Sequence, residues 1–126
     1  MGDQKYNCIL IAGNPPATRN ALKLLLNEEN GSYVVAEAGD SHELLKKIES
    51  TTPHVILLDW DLLHRATPIL IKTIATLDQK SAVIVLSADS DHKQTTLDAG
   101  ADAFVNIGDP PKELLVSINN IIKLSA

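Results

Sequence analysis

Cysteine is nearly absent from this chain, and that removes a disulfide framework at once. The one thiol, Cys8, sits inside the apolar run "CILIA", which reads as a small buried hydrophobe in a reducing compartment. Aromatics are scarce as well, at 3% of 126 residues, a poor supply for holding a flavin ring. Basic residues are not in excess: 11 Lys and Arg stand against 16 Asp and Glu, for a net charge of -5, and they are scattered. Direct nucleic-acid binding needs a clustered basic face, so it is not expected here. No apolar run approaches the roughly 20 residues that cross a bilayer. The opening "MGDQKYN" lacks a basic segment followed by an apolar core. Gly2 does not complete a myristoylation pattern, because Tyr6 stands where Ser or Thr is required. The expectation is a soluble cytoplasmic protein. The four histidines, His42, His54, His64 and His92, lie on separate segments without ligand spacing, so no metal site is expected from them.

The chain has enough apolar residues, 44%, for one sizeable core, and 1–126 reads as a single domain. Five β-prone apolar runs alternate with segments of helical period: Asn7 to Ala12, Tyr33 to Ala38, Val55 to Asp59, Ala82 to Ser87 and Ala103 to Ile107. The last helix carries Leu114, Leu115, Ile118, Ile121 and Ile122 on one stripe, with Val116 and Leu124 off it. The segment after Thr67 repeats the pattern with Ile69, Leu70, Thr73, Ile74 and Leu77. Helix starts are marked by Asn14 before two prolines, by Asp40 three residues ahead of Glu43, and by Asp109 in "DPPKE". Alternating strands and helices with short loops imply right-handed crossovers, hence a parallel sheet covered on both faces, a three-layer α/β/α domain.

In such a sheet the functional groups gather where the strands end. The third strand, "VILLD", runs straight into an acidic pair split by Trp60, and places Asp59 at that end. The pieces "ILIAGNPPATRNALKLLL", "VVAEAGDSHELLKKI", "PHVILLDWD", "VIVLSA" and "TLDAGADAFV", in this order over nearly the whole chain, resemble the receiver domain of two-component response regulators. The likeness is nearest to receivers attached to helix-turn-helix output domains. It implies a flavodoxin-like sandwich with five helices and strand order 2-1-3-4-5. It also implies a phosphorelay signalling role rather than an enzyme, with Asp59 at the phosphoacceptor position and Ser87 and Phe104 at the switch positions.

The chain departs from that pattern at the pocket. The acidic pair after the first strand is replaced by Gly13 and Asn14, the lysine after the fifth strand by Ile107, and a Pro-Gly beyond the acceptor by Leu63 and His64. Bland readings exist for each: Gly13 as a tight turn, Asn14 as a helix cap, Ile107 as an apolar plug of a drier pocket. Phosphoryl transfer onto a carboxylate depends on positioning and on stabilising charge. Losing both the metal site and the lysine is expected to slow it by roughly 10,000-fold or more. Mg²⁺ binding is expected to be weak or absent. Asp61 is the one further carboxylate near Asp59, but it reaches the same side only if the strand continues. Ser87 has no neighbouring histidine motif to activate it as a nucleophile.

The leading expectation is therefore a receiver-like module with a degenerate pocket. It would act through protein contacts, with a partner or as a homodimer, on the face made by the fourth helix, fifth strand and fifth helix, and the parent gene could fuse it to an output domain. The first alternative keeps Asp59 as a slow but genuine phosphoacceptor. The second is a small flavodoxin-like ligand-binding protein or enzyme with a phosphate at "AGNPPAT", against which stand two prolines that supply no backbone donors.

Overall fold

The computed structural model describes residues 7–27, 33–77 and 81–125; the amino-terminal segment and the Leu124 side chain lie outside the described residues. The order is β1 (Asn7–Ala12), α1 (Pro16–Asn27), β2 (Tyr33–Ala38), α2 (Ser41–Thr51), β3 (Val55–Asp59), two 3-10 turns (Trp60–Leu62 and His64–Ala66), α3 (Thr67–Ala75), β4 (Ala82–Ser87), α4 (His92–Ala99), β5 (Ala103–Asn106) and α5 (Lys112–Ser125). All neighbouring strands pair in parallel, in the order β2-β1-β3-β4-β5. The expected flavodoxin-like order is the observed one.

Strand alternation sorts the core into two layers. Ile9, Ile11, Leu57, Ile84 and Leu86 face α1 and α5 and meet Leu26, Leu114 and Ile118. Leu10, Ile56, Leu58, Val83 and Val85 face the other way and meet Leu44 and Ile48 of α2, Leu70, Ile71 and Ile74 of α3, and Ala99 of α4. Because β1, β3 and β4 are covered on both sides, their sequences read as unbroken apolar runs.

Several local expectations are corrected. The buried stripe of α3 runs through Thr67, Leu70, Ile71 and Ile74, whereas Ile69 is 68% exposed. Cys8 is half-buried, and its N–H donates to His54 Nδ1 at 3.0 Å. Asp40 caps α2 as expected, its Oδ1 accepting the Glu43 N–H at 2.7 Å, while Glu43 Oε1 accepts the N–H of Gly39, the residue before the cap, at 2.8 Å. The other two caps fail for one reason, the paired prolines. α1 begins at Pro16, so Pro15 and not Asn14 precedes it, and α5 begins at Lys112, which leaves Asp109 outside the first turn. Proline fits a first helical turn without needing a donor.

Candidate functional site at the carboxyl ends of the strands

Asp59 is the last residue of β3, on the edge where β1, β4 and β5 also end. The strand stops there: Asp59 Oδ1 accepts the Asp61 N–H at 3.0 Å and starts the first 3-10 turn. The turn leaves the Asp61 side chain 70% exposed, not in line with Asp59 along a strand. Burial pushes the Asp59 carboxyl above its ordinary value; the bond from the Asp61 N–H works against this, the Asp61 charge adds to it, and His64 opposes it slightly.

Across from Asp59 lies the first of the two positions after β1. Gly13 is buried, and its N–H donates to the Ala38 carbonyl at 3.0 Å, so it prolongs the ladder and makes no tight turn. A Cβ built on Gly13 would stand 3.4 Å from Asp59 Cβ and 3.6 Å from Asp59 Oδ2. A side chain at position 13 would thus start beside the Asp59 side chain, and only a hydrogen is there. Asn14 is exposed. The Gly13 carbonyl is engaged from behind by Arg19 Nη1 at 2.6 Å, while Arg19 Nε and Lys23 Nζ hold the two oxygens of Glu37 at 3.0 and 2.8 Å. The bond from Lys23 leads the effects that lower the Glu37 carboxyl below its ordinary value. No local pattern announces this cluster, because its members come from α1 and β2.

Ile107 is not a plug. It is 60% exposed and helps to wall a cavity of about 250 Å³ between α1 and α5, with Leu22, Leu25, Leu86, Pro110 and Leu114; Asp59 is not among the walls. Phe104 is half-buried and packs on the layer that includes Trp60. His64 takes φ +50°, the left-handed region that favours glycine.

The expectation for Ser87 is also corrected. Its Oγ lies 2.8 Å from His92 Nδ1, the Asp89 N–H donates to the same oxygen at 3.1 Å, and His92 Nε2 lies 3.7 Å from Asp89 Oδ2. These are the residue types of an acyl-transfer triad, but Ser87 is only 5% exposed, so an electrophile has no open side from which to reach it. The imidazole stacks on Trp60, with ring centres 3.8 Å apart and planes 12° from parallel. Among the described residues, no group of three or more His, Cys, Asp or Glu could hold a metal, and no helix is long and apolar enough to cross a membrane.

The family model for the response regulator receiver domain matches residues 9–119. The chain belongs to this family. It is a receiver domain of phosphorelay signalling. Among curated relatives, the oxygen regulatory protein NreC of Staphylococcus aureus (strain JH9) is 25% identical over 118 residues. That alignment takes in 91% of this chain and 54% of the relative, so the receiver spans about half the length of the protein it matches. A solved two-component response regulator of the LuxR family from Aurantimonas superposes with a TM-score of 0.84 at 24% identity, over 94% of this chain and 86% of that one. A DNA-binding response regulator of the LuxR family from Staphylococcus aureus gives 0.79 at 20% identity, over 91% and 98%. At these identities the superpositions speak for the fold.

Proposed function

We propose that this receiver signals through protein contacts without regulated phosphorylation of Asp59. The observation that carries the reading is the bare Gly13, where a Cβ would stand 3.6 Å from an Asp59 carboxylate oxygen. A Mg²⁺ site there needs one or two carboxylates in octahedral geometry, and position 13 offers none. Arg19, fixed on the Gly13 carbonyl, adds a cation close behind the same loop. Ile107, 60% exposed on the wall of a cavity that does not include Asp59, supplies no positive charge to an incoming phosphoryl group.

The contact surface in this reading is the α4, β5 and α5 face, where Lys93, Gln94, Thr95 and Asp98 are exposed on α4 and Val116 is 49% exposed on α5. It would take a protein partner or a second copy of the chain. In the parent gene we propose that residues 1–126 form one receiver unit joined to an output domain, as the length of the relative and the DNA-binding description of a structural neighbour suggest. The unit itself makes no direct nucleic-acid contact and works in the cytoplasm.

Intact-mass spectrometry after incubation with acetyl phosphate and Mg²⁺, beside an Asp59→Asn control, tests this. The expected result is no adduct on either protein over hours. A phosphate adduct on the parent alone would establish Asp59 as a working phosphoacceptor and overturn the proposal.

A further inference from the structure

We propose that His92 is a clasp that holds the connection between β4 and α4 in one conformation, by taking the Ser87 hydroxyl with one edge of its ring and Trp60 with its face. A serine hydroxyl carries a single proton. In the clasp the neutral imidazole carries its ring proton on Nε2, the side facing the Asp89 carboxylate 3.7 Å away, and Nδ1 accepts from Ser87 at 2.8 Å. Ser87 Oγ then accepts from the Asp89 N–H and its O–H donates to His92 Nδ1, so this nearly buried hydroxyl is satisfied within its own loop.

The register of the sheet makes this consequential. Asp59 of β3 pairs with Leu86 of β4, so Trp60 and Ser87 each lie one step beyond the same rung, and His92 bridges them. For Ser87 to donate to any oxygen at the Asp59 end, its bond to His92 must break. For Trp60 to move, the stack must open. Either event releases the first residue of α4, whose next three residues, Lys93, Gln94 and Thr95, are exposed. A second pin acts on the same loop from β5, where Asn106 Nδ2 donates to Ser90 Oγ at 2.7 Å. His92 is a positioning residue by this argument: it acts through Ser87 and Trp60 on the placement of α4.

The test uses amide hydrogen exchange of Asp89 to Lys93 together with acrylamide quenching of Trp60, the chain's one tryptophan. The variants are His92→Phe, which keeps a ring on Trp60 but cannot accept from Ser87, Ser87→Ala, and His92→Ala. His92→Phe and Ser87→Ala should each accelerate exchange by about 10-fold with Trp60 still shielded, and the double variant should be no faster than either single one. His92→Ala should accelerate exchange and also raise the quenching of Trp60. Additive effects of the two conservative substitutions, or a loop that exchanges at the parent rate in His92→Phe, would overturn the clasp. Since the readouts are exchange and emission, this result stands apart from whether Asp59 takes up phosphate. His92→Phe keeps the experiment decisive should the alanine variant not fold.

Discussion

Gly13→Asp puts a second carboxylate on the residue that lies beside Asp59. The added Cβ would make ordinary contacts, 3.4 Å from Asp59 Cβ and 3.6 Å from its Oδ2, and Gly13 is not among the residues with positive φ, so the larger residue fits without strain. Two carboxylates about 4 Å apart repel by about 4 kcal/mol at an effective dielectric constant of 20, an upper bound once proton uptake and water relieve the pair. Without a divalent cation the variant should therefore melt below the parent. A cation between the two groups turns the repulsion into coordination. If the restored site has a Kd of about 0.1 mM, about 10 mM Mg²⁺ adds about 2.7 kcal/mol. At roughly 4 °C per kcal/mol for a domain of this size, the midpoint should rise by about 10 °C. The assay is thermal unfolding followed by circular dichroism, with and without Mg²⁺ at matched ionic strength, and the parent should not respond. A folded Gly13→Asp protein that melts at the same temperature in both conditions would refute the reasoning that a carboxylate at position 13 is what completes a metal site beside Asp59.

Asp59→Asn should stabilise the protein at neutral pH. The folded state raises the Asp59 carboxyl above its ordinary value, so that group's contribution is fully present below the ordinary value and is lost as pH rises through the raised one. Asparagine removes the ionisation and keeps an oxygen for the Asp61 N–H. The urea midpoint of the variant should exceed that of the parent at pH 7, with the gap closing toward acid pH, and an unchanging gap would contradict the assignment to burial. His64→Gly relieves a left-handed backbone at φ +50° and should add about 1 kcal/mol, less the entropy that glycine gives the unfolded chain. A loss of stability in equilibrium unfolding would show that the His64 side chain contributes more than its backbone strains.

The strands were legible because each is a short apolar run, and parallel strands covered on both faces have no alternation to obscure them. The one difference is the end of β5, at Asn106 rather than Ile107, where the chain turns outward and exposes that isoleucine. Caps were legible only where no proline intervened: Asp40 matches its local pattern, while at Asn14 and Asp109 the paired prolines shift the first turn by one residue or more. In α3, Ile69 and Ile71 are both apolar, and the choice between them depends on how the two 3-10 turns rotate the helix before it starts. The position of Asp59 could be inferred from its strand, but its surroundings could not. His92 meets Ser87 through a loop of four intervening residues, and it meets Trp60 only because β3 and β4 are neighbours in the sheet. Strand order and register carry that signal, and a linear scan for ligand spacing does not see it.

The parallel order has a consequence for how the chain acquires its shape. β1 lies between β2 and β3 and pairs with both, in each case across a full helical crossover, as parallel strands require. No hairpin can seed this sheet, so every rung closes a long loop before it yields any stabilisation, which places the domain among slower folders than a helical bundle of equal length. On a ribosome Asn7–Ala12 emerges before the other four strands, yet it stays without its second flanking strand until Val55–Asp59 has been made. Through that interval Ile9, Leu10 and Ile11, all fully buried in the finished fold, are a waiting apolar edge, and they mark the stretch of the nascent chain most exposed to capture by chaperones or by other copies of itself.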